Sequence, residues 1–125
     1  MTRILIVDDD EKMRWLYRDI LLSEGFDVLE AGSAESGLKM AIENIPDLIL
    51  LDVMMPGKDG GQASADLSKN NRTKNIPIIF LTSIITEEEV KAHHGIVSGR
   101  PIIAKSTNRK EIIQRIKEIL PAKGN

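Results

Sequence analysis

The 125-residue chain has no cysteine and few aromatics, with one Trp, one Tyr and two Phe. Without thiols it can form no disulfide, thiolate metal centre or cysteine nucleophile, which suits a reducing cytosol. Charge of one sign is lacking too. The net charge of −2 provides no basic footprint for nucleic acid. The longest apolar runs cover four to five residues and end in Asp or a turn, far short of the roughly 20 that a membrane span needs. The N-terminal run Ile4 to Val7 is also too short for a signal peptide. The expectation is a cytoplasmic protein with no membrane or nucleic-acid partner, built as one domain over residues 1–125 with no output domain.

What the chain does have is alternation. Short aliphatic runs at Arg3 to Val7, Asp27 to Ala31, Asp47 to Leu51, Pro77 to Leu81 and Pro101 to Ala104 read as strands. Between them lie helical patterns at Glu11 to Glu24 (apolar Met13, Leu16, Tyr17, Ile20), Ser33 to Asn44, Gly61 to Asn70, Thr86 to Val97 and Asn108 to Leu120. Asn108 with Glu111 and Thr86 with Glu89 have N-cap spacing. Gly25 and Gly99 stand where left-handed C-caps are wanted, Pro56-Gly57 reads as a tight turn, and Pro121 ends the last helix. The third helix is thinly patterned, with only Ala63 and Leu67 as a stripe and Gly61 near its start. Alternating βα units imply parallel strands, right-handed crossovers and helices on both faces of the sheet. The fold class is a doubly wound α/β sandwich, whose ligands sit beyond the carboxyl ends of the strands.

Five polar residues fall at those ends: Asp8 and Asp9 after the first strand, Asp52 after the third, Thr82 after the fourth and Lys105 after the fifth. Three converging carboxylates repel one another, since a like-charge pair about 4 Å apart costs roughly 4 kcal/mol at an effective dielectric of 20. Such a cluster calls for a cation.

The segments Ile6-Val7-Asp8-Asp9-Asp10, Leu50-Leu51-Asp52-Val53-Met54-Met55-Pro56-Gly57-Lys58-Asp59-Gly60, Leu81-Thr82-Ser83 and Ala104-Lys105 resemble the receiver domain of two-component response regulators. The resemblance covers essentially the whole chain. It implies a five-stranded parallel sheet in the flavodoxin-like order 2-1-3-4-5 and five helices. It further implies that Asp52 is the nucleophile taking a phosphoryl group from a phosphohistidine, supported by Thr82 and Lys105. Mg²⁺ would be held by Asp8, Asp9, Asp52 and the Met54 backbone carbonyl, a ligand set that suits a hard octahedral cation. The implied partners are a histidine kinase or histidine phosphotransfer protein and an unknown downstream protein. A phosphorylation-dependent homodimer is a further option. Such a module is not a turnover enzyme, because it catalyses only its own phosphorylation and dephosphorylation.

Two departures bear on switching. Ser106 follows the lysine where receivers usually carry proline, so the Lys105-Ser106 bond is either a costly cis peptide or trans, and a trans bond is expected to re-aim Lys105. Ile102 replaces the usual aromatic of the rotamer readout. Met54 and Ile84 would flank the path of an attacking water, which implies slow hydrolysis of the phosphoryl group.

Trp15 lies off the core stripe, either packed on aliphatic stems or exposed for docking. His93 and His94 are adjacent and read as surface residues, not a metal pair, and Lys69, Arg72 and Lys74 read as solvated loop. Two other functions compete. One is a degenerate receiver that binds partners without phosphorylation. The other is a haloacid-dehalogenase-type phosphohydrolase, which wants a second Asp two residues after the nucleophile, where this chain has Met54.

Overall fold

The computed structural model describes residues 1–97 and 100–120. The elements run β1 (Arg3–Val7), α1 (Glu11–Ser23), β2 (Asp27–Ala31), α2 (Ala34–Asn44), β3 (Leu48–Asp52) and α3 (Gly60–Lys69). They continue with β4 (Ile78–Thr82), α4 (Glu87–Ala92), β5 (Ile96–Val97), β6 (Arg100–Ala104) and α5 (Arg109–Ile119). The sheet order is β2-β1-β3-β4-β6-β5. Its five longer strands pair in parallel, so the expected 2-1-3-4-5 arrangement is present with β6 as the fifth parallel strand. To it is added β5, a two-residue strand antiparallel to β6.

Register sorts side chains into two layers, because successive residues of a strand face opposite sides. Leu5, Val7, Ile49, Leu51, Phe80, Ile102 and Ala104 pack against Ala34 and Ala41 of α2, Ala63 and Leu67 of α3 and Val90 of α4. Ile4, Ile6, Leu48, Leu50, Ile79, Leu81 and Ile103 pack against Tyr17, Ile20 and Leu21 of α1 and Ile112, Ile113 and Ile116 of α5. On α1 the buried stripe uses Leu21, while Leu16, expected inward, is half exposed. The expected stripe of α3, Ala63 and Leu67, is buried together with Gly60 and Ser64.

Every long helix begins on a side-chain cap. Asp10 accepts from the Lys12 and Met13 amides, and Asn108 accepts from the Glu111 amide. Reciprocal caps join Ser33 to Ser36, Asp59 to Gln62 and Thr86 to Glu89. Gly25 and Gly57 adopt positive φ where a C-cap and a turn were expected, whereas Gly99 and Pro121 lie outside the described residues.

The helix expected over Thr86 to Val97 is cut to the six residues Glu87–Ala92. His94 and Gly95 turn left-handed, at φ 56° and 77°, and the Gly95 amide donates back to the Val90 carbonyl at 2.8 Å. Gly95 also leaves space for the Arg115 guanidinium, which would lie 2.8 Å from a β-carbon there. From α5, Arg115 donates to the carbonyls of Gly95 at 2.9 Å and Ile102 at 3.1 Å, tying the β5–β6 ribbon down. The β-branched pair Ile96-Val97 then finds a strand partner in Pro101 and Arg100.

Candidate functional site

Three strands of the α1/α5 layer end in charge. The alternation that buries Ile4 and Ile6, then Leu48 and Leu50, then Ile103, brings Asp8, Asp52 and Lys105 next on that same face. Asp8 is fully buried and Asp52 is 2% exposed, while Asp9 faces solvent. One carboxylate oxygen from each of these three acids lies within 4.8 Å of the others. Among the described residues no other group of three His, Cys, Asp or Glu side chains converges in this way.

Asp8 is held on four sides. Its amide donates to the Ala31 carbonyl at 3.1 Å and its Oδ1 accepts from the Asp10 amide at 2.9 Å. Its carbonyl accepts from Arg14 Nη1 at 2.6 Å, and Arg14 Nε pairs with Glu30 at 3.5 Å. Lys105 Nζ lies 2.9 Å from Asp8 Oδ2, a close ion pair on a fully buried carboxylate. The same ammonium lies 3.4 Å from Asp52 Oδ2, and Asp52 Oδ1 accepts from the Met54 amide at 3.1 Å. Burial and then the charge of Asp8 push the Asp52 pKa up to about 6, with the Met54 amide and Lys105 only partly offsetting them. For Lys105, burial alone would lower the pKa, but Asp8 and Asp52 outweigh it and hold the ammonium charged.

Lys105 therefore stays in the site although no peptide bond among the described residues is cis. The expected re-aiming by a trans bond to Ser106 does not occur. The Lys105 amide donates to the Thr82 carbonyl at 2.7 Å, which extends the β4–β6 ladder one residue and fixes the backbone before Ser106 is reached. Thr82 is buried at the end of β4, where its hydroxyl accepts from the Ile84 amide at 3.1 Å and keeps its own proton to donate. Three oxygen-donor carboxylates served by a single ammonium fit a hard divalent cation better than any other ligand class.

Around the site, Trp15 is half exposed with the Arg18 guanidinium 5.9 Å from its ring centre. A surface cavity of about 390 Å³ has Leu16, Ile20, Lys105 and Thr107 in its lining. His93 and His94 are exposed, as expected. Met54 is exposed and offers no acid or base at the position a hydrolase would use.

Sequence reasoning missed three residues here. Arg14 supports the Asp8 backbone, a contact that its place one turn into α1 could have suggested. Gly60 lets α3 approach so closely that a β-carbon there would lie 2.5 Å from the Asp52 carbonyl oxygen. Tyr17 was assigned to an apolar stripe, but it is a fully buried phenol whose pKa is raised by burial and then by the charges of Asp8 and Asp52.

A family model for the response regulator receiver domain matches residues 4–117. The chain is 35% identical over 119 residues to the phosphate regulon transcriptional regulatory protein PhoB of Escherichia coli (strain K12), which covers 94% of this chain and 51% of that protein. It is 36% identical over 118 residues to the transcriptional regulatory protein SrrA of Staphylococcus aureus, covering 94% of this chain and 47% of that protein. The chain thus spans about half the length of these curated relatives. The structure of chemotaxis protein CheY4 from Vibrio cholerae matches with a TM-score of 0.82 at 26% identity, covering 96% of this chain and 99% of that one. With the doubly wound sheet and the acidic pocket at its strand ends, these likenesses establish that the chain belongs to the response regulator receiver domains, the phosphoacceptor modules of two-component signalling.

Proposed function

We propose that Asp52 accepts a phosphoryl group from the phosphohistidine of a histidine kinase or phosphotransfer protein, in a Mg²⁺-dependent reaction in the cytoplasm, and that the chain then signals through altered protein contacts. The observation that carries this reading is the Lys105 ammonium bridging two buried carboxylates, 2.9 Å from Asp8 and 3.4 Å from Asp52. Phosphoryl transfer depends mostly on positioning and charge neutralisation. An Asp52 carboxylate oxygen attacks phosphorus as the phosphorus–nitrogen bond breaks, and the electron pair leaves on imidazole, which takes a proton from solvent. Mg²⁺ held by Asp8, Asp9, Asp52 and the Met54 carbonyl would neutralise charge on the phosphoryl oxygens.

Lys105 then has a better partner than Asp8, because the new dianion places strong acceptors on Asp52. The Thr82 proton is free to meet one of them. Since the Ile84 amide is bonded to that hydroxyl, moving it draws the segment before α4 along. The usual aromatic readout has no counterpart, because Ile102 is buried beside Phe80 in the sheet. The Arg115 tie to Ile102 and Gly95 makes the β5–β6 ribbon move with α5 or not at all.

Intact mass after incubation with Mg²⁺ and a small phosphodonor tests the reading. One phosphoryl group is expected on the wild type, none on Asp52→Asn, and none when EDTA removes the metal. With Met54 and Ile84 exposed as apolar neighbours, the adduct should decay over minutes or longer. An unmodified wild type would favour the degenerate receiver, and continuous phosphate release would favour a hydrolase.

A further inference from the structure

The three acids of the site are held unequally. Asp8 and Asp52 are buried and meet the Lys105 ammonium, whereas Asp9 is exposed and no side-chain hydrogen bond or ion pair holds its carboxylate among the described residues. That carboxylate still has to stay within 4.8 Å of two other anions before any cation arrives, against their repulsion. Its place must come from the backbone. Both peptides that flank the Asp9 α-carbon are pinned: the Asp10 amide donates to Asp8 Oδ1 at 2.9 Å, and the Asp8 carbonyl accepts from Arg14 Nη1 at 2.6 Å. The second pin is anchored outside β1. Arg14 Nε lies 3.5 Å from Glu30 Oε1 on β2, the other oxygen of Glu30 accepts from Arg18 at 3.2 Å, and Gly32 leaves room for the guanidinium, since a β-carbon there would stand 3.3 Å from Nη1.

We propose that Arg14 is a positioning residue of the cation site, which with Glu30 fixes the Asp8–Asp9 peptide and so holds the Asp9 carboxylate ready for Mg²⁺. This rests on Asp8, Asp9 and Asp52 being the metal ligands. A planar guanidinium can direct separate donors at the Asp8 carbonyl and at Glu30, whereas a lysine offers one point charge and cannot serve both in the same way. Charge alone and bracing differ in sign. A cation beside a metal site repels the incoming ion, so by charge alone the loss of Arg14 would tighten metal binding. As a brace, its loss loosens binding, because groups that orient metal ligands commonly change affinity by about 10- to 100-fold.

Titration of the metal-free chain with Mn²⁺, followed by the electron paramagnetic resonance of the free ion and repeated in competition with Mg²⁺, reads the affinity without phosphorylation. Arg14→Met, which keeps an unbranched side chain and removes the charge and the donors, should bind Mn²⁺ about tenfold more weakly than the wild type. Arg14→Lys should remain weakened although the charge is kept. Glu30→Gln should weaken binding less, and should add nothing once Arg14 is replaced, because the two residues act through one contact. Urea unfolding in EDTA on the same samples identifies any variant that does not fold; if Arg14→Met is one, Arg14→Lys decides. Unchanged or tighter binding by a folded Arg14→Met, wild-type affinity in Arg14→Lys, or losses from Arg14→Met and Glu30→Gln that simply add overturns the proposal. A wild type that binds neither Mn²⁺ nor Mg²⁺ overturns instead the reading of the three acids as metal ligands, and the brace with it.

Discussion

Burial and the neighbouring Asp8 carboxylate make the Asp52 anion unfavourable and lift its pKa from the ordinary 3.8 to about 6. The folded protein thus holds this proton more tightly than the unfolded chain. The stability it contributes is fully present below the unfolded pKa and is lost as pH rises through 6. At neutral pH without metal, Asp52 is a destabilising charge. Removing it should therefore help the fold: metal-free Asp52→Asn should be more stable than the wild type at pH 7 by on the order of 1 kcal/mol, with the gap closing toward about pH 4. Urea unfolding in EDTA across that range measures it, and a gap independent of pH would refute the assignment. Mg²⁺ should erase the wild type's deficit at pH 7, since a ligand that binds only the folded state adds stability.

Among the elements, α3 is placed by two adjacent glycines with opposite roles. At Gly60 a β-carbon would stand 2.5 Å from the Asp52 carbonyl oxygen and 2.9 Å from the Val53 α-carbon, so Gly60→Ala forces the helix away from the strand that carries Asp52. We expect a loss of roughly 1–3 kcal/mol in chemical unfolding. Gly61 is exposed, with only the Asp59 carboxylate 3.4 Å from such a carbon, so Gly61→Ala should stabilise by up to about 1 kcal/mol through helix propensity. Equal effects of the two substitutions would mean that α3 does not pack as described. The sequence marked Gly61 as the unusual residue of this helix, but the packing makes Gly60 the critical one. Close backbone approach leaves no trace in local pattern. The short α4 has a similar origin, because Gly95 and Ile96-Val97 are diverted by Arg115 and by pairing with β6, partners from α5 and the adjoining strand.

For the whole molecule, what was legible in the sequence was what alternation and charge encode. The aliphatic runs located all five parallel strands, and the acids after them marked the end of the sheet where the site lies. Asp8, Asp9, Asp52 and Lys105 are together because parallel strands in register deliver their C-terminal residues to one edge. Not legible were contacts set by three-dimensional neighbours: Arg14 on the Asp8 carbonyl, Gly60 against the Asp52 backbone, and a lysine that keeps its place without the proline that usually follows it. Mapping the phosphorylated carboxylate tests the central claim most directly. Reductive trapping with borohydride after phosphorylation in Mg²⁺ converts an aspartyl phosphate to homoserine, which peptide mass spectrometry can locate. The account predicts homoserine at position 52 alone; homoserine at position 8 or 9, or at none, would contradict it.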